Sequence, residues 1–329
     1  VVKDIYLQKY WQNPSIWMKN TYTGNEQFLR EPTMHRLASC TNKARTIIRY
    51  YGHKIYAKYF MARVYMEYAP HGDLSTLLCS HARYDRANRT YVRDENGERL
   101  TGVRIPREAL WSFFEDLAEA ACSMAYGYNS INGDPKPTGD WQTIIHRDLK
   151  PDNIFLSLPR TGDVPELRVA DFGISVPEQY DALENPGRMR GAGSLGWQAP
   201  EQHLLSEGVN PIYALSSATN VWGVGRIMLA LLELHPEIPD EVHYGQSQKG
   251  RVTPGPELHE NRKFYGEVLC DLIDECIERI PRDRPMAEDL LKSIRRGRAD
   301  DPPNPEDDYV ALEYDEELRW GYENEHERD

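Results

Sequence analysis

Four side chains near the middle of the sequence are of types and spacings that could do chemistry together. The segment His146-Arg147-Asp148-Leu149-Lys150-Pro151-Asp152-Asn153 places a carboxylate, a cation two residues on and an amide three residues after that. Ala170-Asp171-Phe172-Gly173 adds a second carboxylate. A carboxylate can orient a hydroxyl and take its proton, and a lysine can face an anion. Amide and carboxylate oxygens suit a hard cation such as Mg²⁺, which tolerates little departure from octahedral geometry. These are the parts that phosphoryl transfer requires. A third segment, Gly193-Ser194-Leu195-Gly196-Trp197-Gln198-Ala199-Pro200-Glu201, follows. Apolar runs at Ile144-Ile145, Ile154-Phe155 and Leu167 to Val169 flank the polar residues, as buried strands flank loops that carry function.

The three segments, in this order, resemble the motifs of the eukaryotic protein kinases. One short motif is weak evidence, whereas three in the correct order are specific. The resemblance implies an α+β, two-lobed fold with a partial, small β-rich N-lobe and a larger, mostly helical C-lobe. It implies a kinase domain over residues 1–297, divided into a partial N-lobe at 1–68 and a hinge and C-lobe at 69–297. It also implies ATP and Mg²⁺ as cofactors and proteins with Ser or Thr acceptors as substrates. In that role Asp148 orients the acceptor hydroxyl and takes its proton, Lys150 faces the γ-phosphate, and Asn153 and Asp171 hold the metal. Lys150 two residues after Asp148, with Ser194 downstream, matches the serine/threonine branch. Arg147 before Asp148 is the type associated with control by activation-loop phosphorylation. From Gly173 to Trp197 that loop offers the hydroxyls Ser175, Tyr180 and Ser194, with Glu178, Asp181 and Glu184 as acidic substitutes.

Upstream, Val64 to Leu74 resembles the strand and hinge that join the lobes. Met66 is then the gatekeeper, Glu67 and Ala69 offer backbone groups to adenine, and Asp73 reaches the ribose. Val1-Val2-Lys3 resembles the end of the strand that bears the phosphate-anchoring lysine. Glu31, on a helical stretch from Asn25 to Cys40, is its expected partner. Pro32 directly after it places Glu31 in the first helical turn and leaves Glu26 as a competitor. Glu201 and Arg284 resemble a buried ion pair that ties the activation segment to the helical lobe.

Two departures from the family pattern stand out. No G-x-G-x-x-G precedes Lys3, so the chain reads as an N-terminally truncated catalytic domain. Asn220 stands where kinases carry an aspartate that accepts backbone N–H bonds from the catalytic loop. An amide accepts without the charge assistance of a carboxylate, which predicts weaker support for that loop. These departures keep a second reading open, a pseudokinase or scaffold that binds protein partners without turnover.

The elements that must position these residues follow from periodicity. Short β-like runs cover Lys54 to Phe60 and Val64 to Tyr68. Leu110, Phe113, Phe114, Leu117, Ala121 and Met124 recur at helical spacing behind Pro106, which is expected at the first helical position. Val221 to Leu234 is apolar nearly all round, the mark of a helix inside a helical body. Further helices are expected at Lys263 to Arg279 and Met286 to Arg295. His81 to Arg104 and Asn129 to Trp141 are polar and read as surface insertions.

Composition bounds the rest. The chain has 329 residues, 40% of them hydrophobic and 28% charged, which is the balance of a globular protein. Its net charge of −13 argues against holding nucleic acid through phosphate neutralisation. The charge is concentrated: 13 acidic residues from Asp300 to Asp329 face only Arg319 and Arg328, so the remainder is close to neutral. Residues 298–329 therefore read as an acidic, disordered tail, with Val310, Leu312, Leu318 and Trp320 as a docking helix in the sharper alternative. No stretch reaches the ~18 to 20 apolar residues that span a bilayer. Cys40, Cys79, Cys122, Cys270 and Cys276 are scattered and include no C-x-x-C pair, which reads as reduced and structural. No secretory signal is visible at the start, and the expected location is intracellular, cytoplasmic or nuclear.

Overall fold

A computed structural model describes residues 1–8, 11–12, 17–19, 27–39, 45–127, 141–159, 162–178, 185, 189–203, 213–236, 262–301 and 312. The chain forms the expected two-lobed α+β architecture. The small lobe holds strands β1 (Val2–Tyr6), β2 (Trp17–Lys19) and β3 (Gln27–Leu29), helix α1 (Arg30–Ser39), and strands β4 (Tyr50–Tyr56) and β5 (Met61–Met66). β5 lies between β1 and β4 in an antiparallel three-stranded sheet, with Lys3 opposite Val64 and His53 opposite Val64 on the other side. Ala62 and Val64 alternate inward and are fully buried, which fixes the register, since a one-residue slip would expose them.

Several boundaries differ from the sequence expectation. The run from Lys54 to Phe60 is not one strand: β4 ends at Tyr56, a 3₁₀ turn follows at Ala57–Tyr59, and Phe60 takes φ 48° to reverse the chain into β5. The helix expected from Asn25 begins only at Arg30, after β3, with Glu31 in its first turn. Pro32 is tolerated there because the first-turn N–H groups have no intrahelical acceptor.

The large lobe contains α2 (Leu74–Ala82), the short hairpin β6 (Tyr84–Asp85) and β7 (Thr90–Tyr91), and α3 (Arg107–Tyr126). Then come β8 (Ile144–Ile145), β9 (Ile154–Ser157), β10 (Glu166–Val169) and β11 (Val176–Pro177). The chain continues with α4 (Ser217–Glu233), α5 (Glu267–Cys276) and α6 (Ala287–Asp300). The apolar stripe of α3 is buried as its spacing predicts, but Pro106 caps the helix from outside rather than occupying its first turn. α3 packs against α4, α6 and β10, and α4 against α5, forming one continuous core that also takes in Met34, Ala38 and Ile47 of the small lobe and runs on to Ile294.

The helix expected at Lys263 to Arg279 is interrupted. Gly266 takes φ 87°, which separates a helical turn at 262–265 from α5. Within the expected insertion at His81 to Arg104, His81 is fully buried on α2, and β6 and β7 order the start of the remainder. The second expected insertion, apart from Trp141, lies outside the described residues.

The domain boundary expected after residue 297 falls inside α6, which continues to Asp300. Arg298 pairs with Glu115 at 2.8 Å and also with Glu108, both on α3. Asp301 accepts hydrogen bonds from Arg107 at 3.0 Å and from the buried Trp111 Nε1 at 2.9 Å. Of the four tail residues expected as an alternative docking helix, Leu312 packs against the main core, and Val310, Leu318 and Trp320 lie outside the described residues. Among the described residues no helix is long and apolar enough to cross a membrane.

Candidate active site

Three separated segments bring their side chains to one point. Lys3 on β1 places Nζ 2.7 Å from Glu31 Oε1 on α1 and 2.9 Å from Asp171 Oδ1. Burial disfavours the Lys3 ammonium, but Glu31 and Asp171 outweigh it and hold its pKa above the ordinary value. Burial raises the Asp171 carboxyl, and Lys3 more than offsets this, so Asp171 stays below the usual carboxylate range. Burial lifts the Glu31 carboxyl despite Lys3. Asp171 takes φ 60°, a left-handed backbone that aspartate tolerates better than most residues. Glu26 lies outside the described residues.

Asp148 and Asn153 form the second centre. Asp148 Oδ1 accepts the Ser194 N–H at 2.8 Å, and Oδ2 accepts Asn153 Nδ2 at 3.1 Å. Lys150 Nζ lies 3.6 Å from Asp148 Oδ2 and donates to Ser194 Oγ at 2.7 Å. Asn153 Nδ2 also donates to the Asp148 carbonyl at 2.8 Å, which leaves its Oδ1 without a bonded partner among the described residues. The Asn153 carbonyl accepts the Ala170 N–H at 2.9 Å, so the two loops are tied one residue before Asp171.

The donor set fits a Mg²⁺ ion. Asn153 Oδ1 and the Asp171 carboxylate are hard oxygen ligands, and Mg²⁺ is commonly held by one or two protein oxygens together with substrate phosphates. Among the described residues no group of three or more His, Cys, Asp or Glu is placed to hold a metal by itself.

The backbone of the loop that carries Asp148 is held from below. Asn220 Oδ1 accepts the His146 N–H at 2.9 Å, while Asn220 Nδ2 donates to the Ile144 carbonyl at 2.7 Å. The weaker support expected of an amide is therefore corrected: Asn220 makes a second bond that a carboxylate would not. Gln202, which sequence reasoning missed, donates to the carbonyls of Arg147 at 2.8 Å and Ala192 at 3.0 Å. Gly193 fits beside them because a Cβ there would lie 2.4 Å from the Arg147 carbonyl.

Among the described residues Arg147 has no acidic hydrogen-bond partner. Its guanidinium donates to the carbonyls of Ile174 and Met189, and burial pushes its pKa down to about 10, with Arg30 adding like-charge repulsion. Of the hydroxyls considered for phosphorylation, Ser175 is fully buried and bonds the His146 carbonyl, and Ser194 is engaged by Lys150. Tyr180, Asp181 and Glu184 lie outside the described residues.

A column of rings joins the lobes behind this site. Tyr50 meets His35 edge-on at 5.4 Å, His35 stacks on Phe172 at 5.4 Å, and Phe172 meets His146 at 4.9 Å. The buried His35 is fixed by a 2.7 Å contact between Nε2 and the Ile48 carbonyl. Sequence reasoning missed His35, although it stands one helical turn after Glu31 and so shares its face of α1.

At the expected hinge, the Glu67 N–H donates to Arg49 O at 2.9 Å, leaving its carbonyl, and no backbone bond of Ala69 occurs among the described residues. Asp73 caps α2, accepting from Thr76 N at 2.7 Å and Thr76 Oγ1 at 2.9 Å, and it also faces Arg86. The ribose contact expected of Asp73 competes with these partners. The expected pair of Glu201 and Arg284 is present, at 2.7 and 2.8 Å, with both side chains completely buried.

Residues 141–294 match the family model described as protein kinase domain. The chain is 26% identical over 243 residues to the G2-specific protein kinase nim-1 of Neurospora crassa, covering 69% of this chain and 24% of that protein. It is 28% identical over 239 residues to the G2-specific protein kinase nimA of Emericella nidulans, covering 70% of this chain and 30% of that protein. A calcium/calmodulin-dependent protein kinase kinase of Caenorhabditis elegans is 26% identical over 58% of this chain and 30% of its own length. The chain thus spans less than a third of the length of these relatives.

Proposed function

We propose that this chain, residues 141–294 of which match the protein kinase domain, is a member of the eukaryotic protein kinase family and transfers the γ-phosphoryl group of ATP to Ser or Thr hydroxyls of protein substrates. The observation that carries the reading is Lys3 held between Glu31 and Asp171. A lysine near a chain end is ordinarily a surface charge, and here it joins a strand, a helix and the loop bearing the second carboxylate.

Each residue then has a task. Asp148, its carboxylate oriented by the Ser194 N–H and Asn153, aligns the acceptor hydroxyl and takes its proton. Lys150 neutralises charge on the moving phosphoryl group, and Lys3 anchors the remaining phosphates. Asn153 and Asp171 would hold Mg²⁺, which would supply positive charge against the phosphates. The Glu67 carbonyl and Ala69 N–H face adenine, and Asp73 lies toward the ribose. Four cysteines without disulfides among the described residues suit a reducing, intracellular setting.

The test is a nucleotide titration followed by melting. A ligand that binds only the folded state raises the melting temperature with occupancy. ATP should do so in a Mg²⁺-dependent manner, and Lys3→Ala should weaken the effect. Calorimetry that finds no nucleotide bound, with or without Mg²⁺, overturns the proposal.

A further inference from the structure

The peptide that joins Arg147 to Asp148 is gripped at both ends. A peptide unit is planar, so holding its carbonyl and its N–H constrains the direction in which the next Cα presents its side chain. The Arg147 carbonyl accepts from Gln202 Nε2 at 2.8 Å, and the Asp148 N–H donates to His146 Nδ1 at 3.3 Å. His146 Nε2 lies 2.9 Å from the Ala170 carbonyl, so that nitrogen carries the ring hydrogen and Nδ1 is left to accept. Arg147 itself takes φ 67°. A long side chain is unfavourable on such a left-handed backbone, which persists only where the surroundings determine it.

Gln202 holds more than this carbonyl. It is buried, and Nε2 also donates to the Ala192 carbonyl at 3.0 Å, while Oε1 accepts the Ala199 N–H at 3.0 Å. Two carbonyls facing Nε2 and one N–H facing Oε1 permit a single orientation of the amide. The backbone carbonyl of Gln202 accepts the Gly191 N–H at 2.7 Å. Gly191 and Ala192 lead through Gly193 to Ser194, whose N–H orients Asp148 Oδ1 at 2.8 Å. Asp148 is therefore held by two routes, the peptide behind it and the segment in front of it, and both pass through Gln202.

We propose that Gln202 is a positioning residue for phosphoryl transfer, one that aligns the Asp148 carboxylate and sets the register of residues 191–194 against it. The inference rests on the protein-kinase reading of the same site. Lys3, Asn153 and Asp171, which that reading assigns to nucleotide and metal, share no hydrogen bond with Gln202 among the described residues. Loss of the Gln202 amide therefore falls on the alignment of the acceptor hydroxyl and spares nucleotide binding.

The experiment compares the parent with Gln202→Ala and with Gln202→Met, which keeps the length of the side chain and loses its donor. Phosphate transfer to Ser-containing peptides gives kcat and KM, and calorimetry gives the Kd of ATP with Mg²⁺. Amide hydrogen exchange reads the protection of the Asp148 and Ser194 N–H groups with no ligand present. Both variants should lose roughly ten- to a hundredfold in kcat, since an ångström of misplacement reaches the upper figure, and keep the parent's Kd. The Asp148 and Ser194 amides should exchange faster, while the Leu167 N–H, bonded to Asp116 in the same lobe, keeps its protection. Transfer by Gln202→Met at the parent's rate overturns the proposal. So does a loss of kcat matched by equal losses of nucleotide affinity and of Leu167 protection, which marks general destabilisation. Absence of transfer by the parent, with faster exchange at Asp148 and Ser194 in both variants, would support the clamp on Asp148 and count against the transfer reaction.

Discussion

Asn220 and His146 are joined by a fully buried hydrogen bond of 2.9 Å from the His146 N–H to the Asn220 side-chain oxygen. The opposite end of the same amide donates to the Ile144 carbonyl at 2.7 Å, so one side chain satisfies a donor and an acceptor on either side of β8's end. Asn220→Ala leaves both groups buried and unpaired, at a cost of about 2 to 5 kcal/mol. Asn220→Asp keeps the first bond but sets a carboxylate oxygen against the Ile144 carbonyl, and it should cost about 1 to 3 kcal/mol at neutral pH. Urea unfolding measures both. An Asn220→Asp protein more stable than the parent would contradict this account of the amide.

Glu201 and Arg284 make the deepest ion pair, with neither side chain exposed. Arg284 also donates to the carbonyls of Ala218 and Glu278, so its removal leaves an uncompensated carboxylate and several unpaired acceptors. Arg284→Ala should lower stability by about 3 to 5 kcal/mol. A loss below 1 kcal/mol in chemical denaturation would show that the segment carrying Glu201 is held by other contacts.

Asp116 gives the fold a pH dependence of known sign. Burial pushes its carboxyl up to about 7 against the Leu167 N–H that it accepts at 2.9 Å, with Glu119 and Glu166 adding repulsion. A group whose folded pKa lies above its unfolded value stabilises the fold at acid pH. That contribution is complete below about 4 and is lost as pH rises through about 7. The stability of the parent relative to Asp116→Asn should therefore decline across that window. Parallel stability profiles for the two proteins would exclude the effect.

The end of α6 belongs to the folded body. Truncation before Arg298 removes its pairs with Glu108 and Glu115 and strips the buried Trp111 N–H of its Asp301 acceptor. The loss should be about 1 to 3 kcal/mol. Truncation after Asp301 retains these contacts and should cost less. Equal melting temperatures for the two truncated chains would restore the boundary at residue 297.

The parts of the structure legible in sequence are those written locally. The recurrence of Leu110, Phe113, Phe114 and Leu117 carries the phase of α3, and the motif around Asp148 places its neighbours within a few residues. The strand overrun at Lys54 to Phe60 has a physical cause: Phe60 takes the left-handed turn without the glycine or asparagine that would announce it. Arg86 with Asp152, Gln202 with Arg147 and His35 with Phe172 are separated by tens of residues or more in sequence, and no periodicity links them. The donor half of Asn220 was hidden for another reason. An aspartate at this position has no N–H, so the family pattern holds no counterpart of the Asn220 bond to Ile144.

The most direct test of the central claim is phosphate transfer by Asp148→Asn beside the parent and Asp171→Asn, using γ-labelled ATP and a mixed Ser/Thr peptide pool. Asp148 is assigned to the hydroxyl and not to the metal, so Asp148→Asn should fold, keep its Mg²⁺-dependent nucleotide affinity and lose roughly 10²- to 10⁴-fold in transfer rate. Asp171→Asn should lose nucleotide affinity as well, because a charge facing the metal is removed. Equal transfer by the parent and Asp148→Asn, with both folded and nucleotide-bound, would contradict the account and leave the scaffold reading in its place.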